Sequence, residues 1–121
     1  MEPSEAEESR TMHKFSLVAV SRQQLARAAE STGGLAADTV VGGHERVLRQ
    51  TVIALTAGSS QTEHQANGEA TVYVLSGRVR VVAGEVSWDA LAGDLVIVPP
   101  ERHRVEAVED STILLTVALP R

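Results

Sequence analysis

From Leu35 onward, apolar residues recur with a period of two, in runs too short and too closely punctuated for anything but β-strands. The runs read DTVV, RVLRQTVIAL, ATVYVL, RVRVVA, EVSWDAL, DLVIVP, HRVEAV and STILLTVAL, and they are rich in β-branched side chains. Turn signals at Gly42-Gly43, Gly58, Asn67-Gly68, Ser76-Gly77, Ala83-Gly84, Gly93-Asp94 and Glu109-Asp110 separate most of them. No strand–helix alternation follows, so parallel crossovers are excluded and the expected fold is an all-β antiparallel barrel or sandwich.

The residues before this region read differently. Residues 1–13 are acidic, with Glu2, Glu5, Glu7 and Glu8, and carry too little apolar surface to offset their own ordering entropy. They are read as a disordered tail preceding a single domain over residues 14–121. Phe15–Val20 reads as a short strand. Ser21, with Gln24 three residues on, reads as the start of a helix that carries Leu25, Ala28 and Ala29 on its apolar face and stops at Gly33-Gly34. Such a helix would act as a lid over one end of a sheet.

Composition closes several functional classes. The chain of 121 residues carries a net charge of −5, a single lysine (Lys14) and one each of Trp, Tyr and Phe. A phosphate backbone needs clustered cations and an aromatic platform, so no nucleic-acid partner is expected. Without cysteine there is no disulfide, thiolate metal site or cysteine nucleophile. No apolar run approaches a membrane span, which predicts a soluble, cytoplasmic protein with no membrane partner. Nucleophile elbows, phosphate loops and EF-hand loops are also absent from the sequence.

Two stretches carry the remaining chemistry: GSSQTEHQANGEATVYVLSG, from Gly58 to Gly77, and AGDLVIVPPERH, from Ala92 to His103. Each delivers one histidine beside a strand. On these residues the chain resembles the cupin superfamily over about Val47 to Val117. Gly58, His64 and Gly77 match that family's first motif, and Gly93, Pro99 and His103 match its second, with a proline-to-histidine interval one residue short. The resemblance implies an antiparallel double-stranded β-helix, the jelly-roll barrel, with one short N-terminal helix. It also implies a pocket at His64 and His103. Typical metal-binding cupins hold one divalent metal with three histidines and a glutamate; here Ala66 and Ala70 stand at two of those four positions. Zinc, iron, manganese or nickel would then need a third ligand besides His64 and His103, and Glu69, His44 and Gln50 are the candidates.

Strand parity leaves one question open. Leu48, Gln50, Val52 and Ala54 share one face of their strand, and Val47, Arg49, Thr51, Ile53 and Leu55 share the other. Arg49 lies in a dimer contact, points into the pocket to bind an anion, or is solvated. Trp88 is read as packing, and Arg78, Arg80, Arg102 and Arg104 as solvated charges. The favoured function is small-molecule binding at His64 and His103 in a homodimer, with His44, Gln50, Arg49 and Glu69 around the ligand. The alternatives are a cupin-type enzyme (oxygenase, isomerase or cyclase) using a metal or a histidine base, and a structural homodimer joined through the apolar Val47–Leu55 face.

Overall fold

The computed structural model describes residues 12–63 and 68–119, with the side chain of Glu63 left out. His64, Ala66 and Asn67 lie outside the described residues, as does the acidic segment up to Thr11. Within those limits the chain forms helix α1 (Leu17–Glu30) followed by β1 (Leu35–Val41), β2 (Leu48–Leu55), β3 (Ser60–Glu63), β4 (Glu69–Ser76), β5 (Arg78–Ala83), β6 (Val86–Leu91), β7 (Leu95–Val98), β8 (His103–Ala107) and β9 (Ser111–Ala118). The strands make two facing sheets of order β1-β2-β9-β4-β7 and β3-β8-β5-β6, with antiparallel pairing throughout. The all-β antiparallel expectation is met by this two-sheet jelly roll, with one helix before it.

The start of the chain corrects the reading of Phe15–Val20 as a strand. Ser16 is the N-cap, its hydroxyl accepting from the Ala19 N–H at 3.2 Å, and the helix includes Leu17 to Val20. The helical period was there to be read: Leu17, Val20, Ser21, Gln24, Leu25 and Ala28 are the less exposed positions, spaced alternately by three and one. Ala29, expected on the buried face, is exposed. The helix packs along the outer face of β1 and β2 rather than capping one end of a sheet. It covers Val52 and Ala54, both fully buried on the side of β2 away from the second sheet.

The core lies between the sheets. Ile53, Leu55, Val72, Val74, Val79, Val81, Val105 and Ile113 form it, with Leu115 and Val117 packed at its margin. Because parity is strict along a strand, Val47, Arg49 and Thr51 look the same way as Ile53 and Leu55, toward the facing sheet. The inner half of the Val47–Leu55 face is therefore taken up by the sandwich, with Ile53 3% and Leu55 0% exposed, while Val47 remains 38% exposed at its outer end. Trp88 is also corrected from packing to surface. It sits on β6, the edge of its sheet, and is 69% exposed. No helix among the described residues is long and apolar enough to cross a membrane.

Tight connections fix the frame. Gly77 has φ 82°, and a Cβ there would run into the Asp110 carbonyl and Ser111, whose hydroxyl accepts from the Arg78 N–H at 2.9 Å. Only glycine meets both demands. Asp110, in the turn before β9, accepts from the Ala57 N–H at 2.8 Å. The β5–β6 hairpin is clamped across its exposed face, where Arg78 and Arg80 hold Asp89 at 2.9 and 2.7 Å. Arg104 reaches Glu106 at 3.4 Å. These arginines are therefore paired, not simply solvated. Hydrogen bonds from Arg80 and then Arg78 lower the Asp89 carboxyl to about 2.

Two predictions follow from this frame. Gly77→Ala is expected to cost roughly 2–4 kcal/mol in urea unfolding, through the left-handed backbone and the clash together. A loss within error of zero would mean that the loop relaxes freely. Asp89, with its folded value depressed, stabilises the fold above the ordinary carboxylate range and loses that contribution as pH falls through about 2. Carboxyl-detected NMR should place its midpoint there and move it upward in Arg80→Gln; an unmoved midpoint would remove the guanidinium as cause.

Candidate functional site

The register of the five-stranded sheet lines up a row of inward side chains at one end of the sandwich. Val98 pairs with Ala70, Ala70 with Val117, and Val117 with Arg49. One step deeper lies the row Val96, Val72, Leu115, Thr51 and Thr39, in which the two threonine hydroxyls meet at 3.0 Å. Below that, Val74, Ile113 and Ile53 close the interior with aliphatic packing. The end row is thus apolar across three strands and cationic at the fourth. Burial follows the same gradient, from Val98 and Ala70, nearly inaccessible, to the exposed Arg49 at the rim.

His103 comes from the opposite sheet. It opens β8, is 5% exposed, and alternates inward with Val105 and Ala107. Its Nδ1 lies 3.2 Å from the Glu101 carbonyl oxygen. A carbonyl only accepts, so Nδ1 is the donor in this contact. The contact occupies Nδ1 and leaves Nε2 as the ring nitrogen that faces other groups. In the ladder His103 is paired with Glu63, the residue before His64; His64 itself lies outside the described residues.

The other sequence-derived candidates separate. Gln50 lies on the helix side of β2 with Val52, and its Nε2 donates to Thr116 Oγ1 at 3.1 Å. It lines a cleft with His13, Lys14 and Phe15, away from the inward row. Glu69 is exposed and shares its face with Thr71 and Tyr73, opposite to Ala70 and Val72. No bulge turns it inward: the β4–β9 register runs unbroken from Glu69↔Ala118 to Val74↔Ile113. A ligand on the inner face meets neither Gln50 nor Glu69. His44 and Arg49, by contrast, come together in a rim cleft of about 360 Å³ with Gly43, Glu45, Arg46, Val47 and Leu119. Arg46 and Leu119 were not anticipated. The available signal was the Gly42-Gly43 turn, which folds the end of β1 back over the start of β2.

The fit to a metal can be tested on the donors present. Ala70, at the family motif's glutamate position, turns a methyl inward and is 6% exposed. Among the described residues, no three His, Asp or Glu side chains group closely enough to hold a metal ion. His103 is the one histidine they place on the inner face, so the described donors do not make up a metal shell. Ala70→Glu would put a carboxylate on that wall. The expected result is a lower Tm in chelator, from burying an unpaired charge, and recovery on adding zinc. A Tm indifferent to zinc would contradict the inward placement of residue 70 beside metal donors.

The architecture is that of a two-sheet jelly roll with an inward-facing histidine at one end. Residues 51–118 match the family model "Cupin domain", which is more than half of the chain, and the protein belongs to the cupin family. A search of curated proteins found no match. Among solved structures, a conserved protein of unknown function from Streptococcus pyogenes is similar at 26% identity and a TM-score of 0.66, over 75% of this chain and 79% of that one. KdgF from Halomonas sp. is similar at 18% identity and a TM-score of 0.63, over 75% of this chain and 84% of that one. A salicylate 1,2-dioxygenase from Pseudaminobacter salicylatoxidans reaches a TM-score of 0.70 at 18% identity, over 83% of this chain but 33% of its own length. The last two likenesses are of fold alone.

Proposed function

We propose that this chain is a small-molecule-binding cupin whose ligand enters at the end of the sandwich bounded by Ala70, Val98, Val117, Arg49 and His103. The observation that supports it most is His103: a nearly buried imidazole on the inner face of β8, its Nδ1 held by the Glu101 carbonyl and its Nε2 without a hydrogen-bond partner among the described residues. His64 belongs to the same proposal, since it follows the residue paired with His103. Fragment screening by NMR on methyl-labelled protein is the test. Binders are expected to shift the methyls of Ala70, Val98 and Val117 and to weaken in His103→Ala. A screen in which no fragment of any charge moves those methyls would end the proposal.

A second reading rests on the same nitrogen: an enzyme using His103, with His64, as a base or as metal ligands. Metal analysis of untagged protein separates the two. Stoichiometric metal lost in the His64→Ala, His103→Ala double variant would favour the metalloenzyme, and no uptake at saturating zinc, iron, manganese or nickel would eliminate it.

A further inference from the structure

The sandwich is open along one side, where β6 ends one sheet and β7 ends the other. β6 pairs only with β5 and β7 only with β4, so no strand among the described residues bridges these two edges. Between them lies an apolar groove of about 460 Å³, with Val81 and Val96 inside it and Val86, Trp88, Leu95 and Ile97 along its margins. Ile97 is 81% exposed, and Trp88, Leu95 and Val86 are each more than half exposed. Together these four side chains leave roughly 500 Å² of apolar surface in one patch, a size that scattered surface hydrophobes do not reach. Among the described lining residues only Glu101 is charged.

The edge of β7 is also unprotected as a backbone. Sheets of monomeric proteins blunt a free edge with charge, proline, a bulge or a covering helix. Leu95–Val98 has no charged residue, no proline and an unbroken register with β4, so only its shortness guards it. The helix α1 lies on β1 and β2, at the other edge of that sheet. Just before β7, the Val74 N–H donates to the Asp94 carbonyl and the Val74 carbonyl accepts from the Gly93 N–H. In an antiparallel ladder the next residues bonded to β4 are then Val96 and Val98, and the N–H and C=O of Leu95 and Ile97 point away from the sheet.

We infer that this open side is an interaction surface for a second copy of the same chain, the two protomers meeting β7 to β7 about a two-fold axis at Val96. In that register Leu95 lies opposite the partner's Ile97, and each pair exchanges the N–H and C=O groups that β4 leaves unused. The side chain of Ile97 stands out while the groove beside it is hollow, so each protomer supplies both the projection and the recess. A two-fold contact brings a patch against its own image, which favours one nearly free of charge in a chain of net charge −5. Stable dimers hide about 800 Å² per partner, and the apolar patch with the backbone edge and its rim provides an area of that order.

The experiment is sedimentation equilibrium of the full chain from about 1 to about 300 μM, for the wild type, Ile97→Lys, Trp88→Asp and Val47→Glu. The wild type is expected to reach twice the chain mass of 12.9 kDa. Ile97→Lys and Trp88→Asp, both at exposed positions, are expected to keep the dilute wild-type spectrum and to weaken association roughly a hundredfold. Val47→Glu, at the far edge of the sandwich, is expected to dimerise like the wild type. Hydrogen exchange at the Leu95 and Ile97 amides should slow as the concentration rises. A wild type that stays monomeric throughout, or a dimer that survives both Ile97→Lys and Trp88→Asp, overturns the inference. Exchange at Leu95 and Ile97 that is the same in monomer and dimer overturns the β7-to-β7 pairing.

Discussion

Strand β2 passes through two environments in eight residues. Its second half is buried on both faces, Ile53 and Leu55 against the facing sheet and Val52 and Ala54 beneath the helix, while its first half emerges into solvent. The hydrophobic burial of that second half fixes the parity of the whole strand, because side chains alternate without exception along a regular ladder. Once Ile53 faces inward, Arg49 must do so too, and Gln50 must face the helix side. The polar end of β2 is therefore oriented by the apolar end, and the rim of the pocket inherits its chemistry from the core.

The same logic runs across the sheet. β9 lies between β2 and β4 and carries the register from Arg49 through Val117 to Ala70. A one-residue slip in either ladder would exchange Ala70 for Glu69 and Arg49 for Gln50, giving an acidic wall with a neutral rim. The aliphatic rows beneath prevent that slip, since it would turn Val72, Val74 and Ile113 out of the core. Specificity at the mouth and stability of the interior are thus set by one set of contacts.

Much of this could be read from the residues. The runs of period two mark all the strands but β3, and the glycines mark the turns between them. β3 went unread because Ser60–Glu63 carries no apolar residue; it is a strand only because β8 offers it a ladder. The beginning of α1 was misread because Phe15–Val20 combines β-branched and aromatic residues, while the capping hydroxyl of Ser16 and the packing of Leu17 and Val20 that decide for helix are local and tertiary facts. At the site, the sequence offered Arg49 and Gln50 as equal candidates. Nothing in two adjacent residues tells which face is inner; the partners of Ile53 and Leu55 do. Glu69 faces outward for the converse reason, because β4 pairs with β9 in an unbroken register that needs no bulge to re-aim it.

The central claim is that a ligand occupies the inner face at the end of β2, β9 and β4, and intermolecular NOEs from the protons of a bound hit of the fragment screen test it most directly. The account predicts cross-peaks to the methyls of Val117 and Ala70. Cross-peaks confined to outer-face groups such as Leu114, or to the exposed edge at Ile97 and Trp88, would contradict it.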